Sequence, residues 1–297
     1  MQIRSRLQLT RFCTVLAFLL CGGNALAEPV LRFSSSLTLE HDAEWFGGWS
    51  ALEVTDGGRR LIALSDRGHL IHADMQRSDG TLQAITLTQD AALTREIGPP
   101  LIKSDKDAEG LAIAPDGRAF ASFEYRNRIT RVDLDTGMLS GEIAVPFTRD
   151  VGRNSGLEML AVDAEGILFA MAEKAPAPGA TFELFAYRSG QWTRAARIPK
   201  RGPFLPVGGD FDPAGRLWIL ERAATLLGFR SRIRLLDFSH DAPRDDTLLT
   251  TQPAQFDNLE GLSVWPDTSG ILRVTMISDD NFLRIQDTQI VEFIVEE

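Results

Sequence analysis

Asp107-Ala108-Glu109-Gly110-Leu111-Ala112-Ile113, then Asp116-Gly117, then Ala119-Phe120-Ala121-Ser122-Phe123: this stretch decides the fold. It reads as a polar start, a short apolar run, an acidic turn closed by Gly, and a second apolar run. Gly accepts the positive φ that a tight turn demands, so two apolar runs joined in this way form a β-hairpin. The runs are near-continuous rather than alternating, which predicts strands buried on both faces.

The same grammar recurs four more times. Gly48-Trp49-Ser50-Ala51-Leu52-Glu53-Val54 leads through Asp56-Gly57 to Leu61-Ile62-Ala63-Leu64. Asn154-Ser155-Gly156-Leu157-Glu158-Met159-Leu160-Ala161-Val162 leads through Gly166 to Ile167-Leu168-Phe169-Ala170-Met171. Gly208-Gly209-Asp210-Phe211 leads through Gly215 to Leu217-Trp218-Ile219-Leu220. Asp257-Asn258-Leu259-Glu260-Gly261-Leu262-Ser263-Val264 leads through Gly270 to Ile271-Leu272-Arg273-Val274-Thr275-Met276-Ile277. The turn glycines at 57, 117, 166, 215 and 270 are spaced by 60, 49, 49 and 55 residues.

More polar strand candidates follow the pairs: His69–Met75, Thr81–Leu87, Ile129–Leu134, Phe182–Tyr187, Trp192–Ile198 and Ile233–Phe238. Four strands in about 50 residues make one propeller blade. The expectation is an all-β chain folded as a β-propeller with five repeats. A sixth blade follows if Ala91–Lys106 hides a strand. The last repeat offers only Ile290–Val295 after its hairpin, so the N-terminal strand Val30–Leu37 is expected to complete it and close the ring. A β-sandwich or solenoid is the competing architecture, and the regular spacing favours the ring.

The first 27 residues read as a secretory signal. Arg4, Arg6 and Arg11 precede the apolar run Phe12–Cys21, and Ala25-Leu26-Ala27 is a small-x-small cleavage site that puts the mature start at Glu28. The run is too short to span a bilayer. A single domain over 28–297, periplasmic or secreted and without membrane insertion, is expected. Both cysteines, Cys13 and Cys21, fall inside the signal, so the mature chain has no disulfide and no thiolate ligand. Without the signal, 28 basic residues face 41 acidic ones, a balance of −13. That opposes broad binding to nucleic acid or anionic lipid and suits cations.

In a propeller, a motif repeated once per blade becomes a ring around the central opening. One expected ring, at the start of each repeat, holds Asp107 and Glu109, Asn154 and Glu158, Asp210, and Asp257 with Glu260. The other, where each second strand ends, holds Asp66-Arg67, Glu124 with Arg126, Glu173-Lys174, Glu221-Arg222 and Asp279-Asp280-Asn281. A hairpin brings the start of one strand beside the end of its partner, so both rings belong on one face. Crowded carboxylates must be protonated, paired or metal-bound. An oxygen-only set points to Ca²⁺ or Mg²⁺. Asp66, Glu109, Glu158, Glu260 and Asp279 are the candidate metal ligands. Arg67, Lys174 and Arg222 are candidates for neutralising an oxyanion or phosphate, and His69 for acid–base work. The bland role for any one of these acids is to bond loop amides or pin blades together. There is no G-x-S-x-G, H-E-x-x-H, P-loop or G-x-G-x-x-G motif.

Gly47-Gly48-Trp49-Ser50-Ala51-Leu52, Leu64-Ser65-Asp66-Arg67-Gly68, Asp107-Ala108-Glu109-Gly110-Leu111, Asn154-Ser155-Gly156-Leu157-Glu158, Asp257-Asn258-Leu259-Glu260-Gly261-Leu262 and Ser278-Asp279-Asp280-Asn281-Phe282 together resemble the bacterial phytase-like, or esterase-like phytase, family. The resemblance runs over essentially the whole mature chain. It implies ester or phosphomonoester hydrolysis on a propeller, with Ca²⁺ as a companion. It transfers no catalytic residue, because no phosphate-binding pattern matches residue by residue. The expected activity is metal-dependent hydrolysis of small phosphate or carboxylic esters at the central opening of a monomer. A lactonase-like propeller and a non-catalytic binding or scaffold propeller remain the alternatives.

Overall fold

Strand-forming runs alternate with turn residues, and 21 strands result among the described residues. The computed structural model describes residues 29–145, 156–173, 180–239 and 243–296. The signal segment and its cleavage site, Asn154, Ser155, Lys174 and His240 lie outside the described residues.

After β1 (Val30–Leu39), the first blade comprises β2 (Trp49–Thr55), β3 (Arg60–Ser65), β4 (His69–Ser78) and β5 (Thr81–Ala92). The connection to the second blade holds β6 (Thr94–Arg95) and one helical turn, α1 (Lys103–Lys106). The second blade is β7 (Ala108–Ile113), β8 (Ala119–Phe123), β9 (Arg128–Val132) and β10 (Met138–Ala144). The third is β11 (Leu157–Val162), β12 (Leu168–Ala172), β13 (Thr181–Arg188) and β14 (Gln191–Pro199). The fourth is β15 (Leu205–Phe211), β16 (Leu217–Thr225), β17 (Gly228–Asp237) and β18 (Arg244–Thr250). The fifth is β19 (Asn258–Pro266), β20 (Leu272–Asp279) and β21 (Thr288–Glu296), with β1 as its outer strand.

The first strands of the blades, β2, β7, β11, β15 and β19, pack side by side, and β19 returns against β2. The protein is therefore a five-bladed β-propeller. The stretch 91–106 supplies no sixth blade; its two-residue β6 pairs in parallel with β10 at the edge of the second blade. The expected ring closure is present: β1 runs antiparallel to β21, from Val30 opposite Glu296 to Leu39 opposite Thr288.

Each turn acid works locally. Asp163, Asp212 and Asp267 each accept two turn amides through Oδ1, at 2.8–3.0 Å, in the manner of an Asx turn. The inner hairpins are apolar on both faces because each blade is covered by two neighbours. Five apolar clusters result, one per seam. Trp49, Trp218 and Trp265 lie in these seams, almost fully buried. The closing seam adds charge: Glu292 of β21, fully buried, pairs with Arg77 of the first blade at 2.7 Å and lies 3.5 Å from Arg273.

Candidate functional site: an acidic funnel on the propeller axis

One irregularity, repeated five times, builds the site. In every innermost strand the ladder slips between Trp49 and Ala51, Ala108 and Gly110, Leu157 and Met159, Pro206 and Gly208, or Leu259 and Gly261. The residues skipped are Ser50, Glu109, Glu158, Val207 and Glu260. A β-bulge breaks strict alternation and re-aims its side chain. Five bulges at one height form a ring. A narrow axial channel is lined there by Ser50, Glu109 and Glu158 with Gly208, Gly209 and Gly261.

A second ring lies beside the first. The amides of Asp66, Glu124 and Glu173 donate to the carbonyls of Gly48, Asp107 and Gly156 at 2.8, 2.9 and 3.2 Å. Arg222 and Asp279 hold the equivalent places, opposite Leu205 and Asn258. Both rings thus occupy one face, as the hairpin geometry requires. Gly48 and Gly156 are needed to make room. A Cβ on Gly48 would come within 2.1 Å of Asp66 Oδ1, and one on Gly156 within 2.2 Å of Glu124 Cγ.

Three expected ring members stand elsewhere; one, Asp257, accepts the amides of Asn258 and Asp287 at 2.8 and 2.7 Å and the Gln286 side-chain amide at 2.9 Å. Asp210 lies three residues beyond the bulge position of its strand, which Val207 fills. Its carboxylate accepts the amides of Phe211 and Val264, both at 2.7 Å. Burial, and then its neighbour Asp210, hold Glu53 well above the usual carboxylate range, which places these two acids together. Glu221 is the third. Arg222 occupies the ring position, and alternation turns Glu221 to the opposite face, where Arg232 and Arg234 neutralise it.

The remaining acids converge. Burial, followed by the charges of Glu158, Glu260, Asp107 and Glu124, pushes Glu109 well above its ordinary pKa. Glu158 is raised by burial and then by Glu173 and Glu260, with Arg222 opposing. Burial raises Asp66 to about 7, with Asp107, Glu260 and Asp280 adding to the effect and Arg67 opposing it. Glu124 is raised by burial, and then by Asp107, to about 7. Asp279 is raised by burial, and then by Glu260, to about 8. All five candidate ligands, Asp66, Glu109, Glu158, Glu260 and Asp279, therefore share one electrostatic neighbourhood.

Arg222 is the cation set among them. It bonds Glu260 and, at 3.1 Å, Asn258 Oδ1, and it lies 3.6 Å from Glu173. Burial alone would lower its pKa, but Glu260, Glu158, Glu173 and Glu109 hold it above its ordinary value. Asn258 Nδ2 also donates to Glu260 at 2.8 Å. Arg67 sits exposed at the rim, 3.1 Å above the Phe282 ring. His69 is not drawn into the cluster. It stacks on Trp45 with centroids 4.9 Å apart, and burial and then Lys106 lower its pKa.

The donor set fits a hard divalent cation. Oxygens of Asp107, Glu109 and Glu124 lie within 4.8 Å of one another. Asp66 Oδ1 is buried without a hydrogen-bond partner, as an oxygen reserved for a cation or a proton would be. Sequence reasoning placed Asp107 and Glu124 in the rings but not among the ligands. The structure adds them because the hairpin brings their carboxylate oxygens within 4.8 Å of each other and of Glu109.

Comparison with known proteins places these features in context. The family model described as "Phytase-like: Esterase-like activity of phytase" matches residues 44–282. No curated protein matches the sequence. Among solved structures, the PQQ-bound aldose sugar dehydrogenase of Streptomyces coelicolor aligns at 15% identity and TM-score 0.45, over 89% of this chain and 98% of that one. A luciferin-regenerating enzyme aligns at 12% and 0.47, over 90% and 95%. A protein described as a gluconolactonase aligns at 17% and 0.47, over 84% and 75%. At these values the structural likenesses carry no functional weight.

Proposed function

This chain belongs to the phytase-like family, and from that premise we propose that it is an exported, metal-dependent hydrolase of small phosphate or carboxylic esters. One observation carries the reading: carboxylates far apart in sequence are stacked as two coupled rings at one end of the axial channel, with Arg222 among them. Asp107, Glu109 and Glu124 would hold the ion, Ca²⁺ in the first instance, and Asp66, Glu158, Glu260 and Asp279 would complete the negative field around it. A divalent ion bound there supplies charge that polarises an ester oxygen and acidifies water. The chain's own groups do the rest. Arg222 faces negative charge that develops on the substrate and offsets it. Arg67 and Lys174 would guide an anionic group past the acidic rim. In this reading the mature protein starts at Glu28 and works outside the cytoplasm.

The test is an ester panel of p-nitrophenyl phosphate, short p-nitrophenyl carboxylates and lactones, run with Ca²⁺ or with EDTA. The expected result is turnover in Ca²⁺, loss in EDTA, and loss in Glu260→Gln. Undiminished turnover in EDTA rejects the metal. No turnover on any ester class leaves a binding propeller.

A further inference from the structure

The outer half of the second blade is only partly covered. β6 pairs with β10 through Thr94 and Arg95 alone, opposite Met138 and Leu139. After one more bond, from the Glu96 amide to the Leu139 carbonyl at 3.2 Å, the ladder ends. β10 bulges just beyond, at Gly141, between Ser140 opposite Arg131 and Glu142 opposite Thr130. A bulge bends its strand and breaks the ladder, and a Cβ on Gly141 would meet nothing within 4 Å. The result is a cleft of about 330 Å³ whose walls include Arg95, Glu96, Arg126, Arg128, Thr130 and Glu142. It is built on β6, β10 and β9, with β8 and then β7 between it and the axis, so it is separate from the acidic funnel.

Three arginines gather here in a chain whose net charge is −10. Two have carboxylate partners: Arg95 pairs with Asp105, and Arg126 with Glu142 at 2.9 Å. Arg128 differs. It is 3% exposed, and its bonds go to neutral groups, the carbonyls of Asp105 at 2.6 Å and Arg126 at 3.2 Å. Its guanidinium carbon lies 4.0 Å from the centre of the Phe123 ring. A guanidinium carries five N–H donors, and those two bonds engage only two of them. Burial lowers the Arg128 pKa to about 10, and the charge of Asp105 offsets this in part. A buried charge without a directly bonded counter-charge is costly.

Thr130 gives a second, independent sign. Two residues along β9, it shares a face with Arg128. It is 6% exposed, and its Oγ1 is buried with no hydrogen-bond partner. Buried polar groups are ordinarily bonded. An orphaned hydroxyl and an under-used guanidinium on one wall call for a single acceptor that serves both, and an oxyanion is such an acceptor. Glu96 and Glu142 on the same walls repel a ligand that carries several charges, so one oxyanion group fits better than a chain of them.

We propose that this cleft is a binding site for a small oxyanion, the phosphate or carboxylate group of a small molecule, with Arg128 and Thr130 as its donors. The site is independent of the hydrolytic reading of the funnel.

The experiment titrates sodium phosphate, and separately sodium acetate, into the purified protein by calorimetry near neutral pH in EDTA. Without a divalent ion the acidic funnel repels anions, so the heat reports the cleft. The expected result is saturable one-to-one binding of at least one anion. Preference for phosphate assigns the site to a tetrahedral group, and preference for acetate to a planar one. Thr130→Val keeps the side-chain shape and removes only the orphaned hydroxyl. It should weaken binding about tenfold or more and leave the urea midpoint unchanged or raised. Arg128→Met should abolish binding at a temperature where that variant is folded. Absence of saturable binding by either anion overturns the proposal. Binding that Thr130→Val leaves untouched puts the anion elsewhere and overturns it as well. A lowered urea midpoint in Thr130→Val shows that the hydroxyl already serves the fold, with the same consequence.

Discussion

Raising the pH in the presence of a chelator should unfold this protein. In the folded chain, burial and mutual repulsion put Asp66 and Glu124 at about 7 and Asp279 at about 8. In the unfolded chain such groups titrate near about 4. Between about pH 5 and 7 the folded state therefore holds protons that the unfolded state has released. Stability must then fall as pH rises, by about 1.4 kcal/mol per pH unit for each such proton. Asp66, Glu124 and Asp279 together set a slope of at most about 4 kcal/mol per unit, and water and salt admitted to the funnel reduce it. His69 works in the opposite sense, because burial and Lys106 lower its pKa, but it contributes less than one proton. Against a total stability of about 5–15 kcal/mol for a domain, even one uncompensated proton is measurable. The assay is urea unfolding in EDTA at half-unit steps from pH 5 to 7.5, repeated with Ca²⁺. Stability should fall with each pH unit in EDTA, and Ca²⁺ should restore it most strongly at the upper end. Glu124→Gln should flatten the slope. Stability that is level or rising with pH in EDTA would falsify the crowded-acid reading.

Other perturbations test separate parts of the argument. Arg128 donates to the carbonyls of Asp105 at 2.6 Å and Arg126 at 3.2 Å, tying together the segments that carry Asp107 and Glu124. Arg128→Met should weaken Ca²⁺ affinity about 10- to 100-fold, measured by calorimetry at a temperature where the variant is folded; an unchanged constant removes Arg128 from the site. Gly156→Ala forces a Cβ to within 2.2 Å of Glu124 Cγ. It should cost about 1–3 kcal/mol and lower Ca²⁺ affinity as well, and a variant as stable as the parent contradicts the packing. Glu292→Gln leaves buried Arg273 and half-buried Arg77 short of a partner. Urea unfolding should show a loss of about 3–5 kcal/mol. Val207→Glu adds an acid at the fourth bulge and should steepen the pH slope in EDTA; no change there means that position does not face the cluster.

The acids of the funnel were legible because they recur at fixed places in a repeated unit. Glu109, Glu158 and Glu260 precede their hairpin turns, and Asp66, Glu124, Glu173 and Asp279 end their second strands. The fourth repeat misleads for a definable reason: its nearest acids, Asp210 and Glu221, are not its ring residues. Counting eight residues back from the turn glycine finds Glu109 from Gly117, Glu158 from Gly166 and Val207 from Gly215. The same count falls on Trp49 from Gly57 and on Leu262 from Gly270 instead of Ser50 and Glu260, so the strand pairing was needed to establish Val207 as the ring residue. Arg222 follows by keeping step with Glu173, which ends the corresponding strand.

Sequence by itself determined the number of repeats, the hairpins and the face on which the acids gather. Those depend on local turn chemistry and on apolar runs, which act within a few residues. Only the tertiary structure decided which side chains turn inward. The slip of one residue in each inner strand depends on how two strands pair, and no single strand records it. The shifted pKa values, the orphaned oxygen of Asp66 and the engagement of Arg222 arise from the same source. They need charges from all five blades in one confined space, and that proximity exists only once β1 has closed the ring on β21.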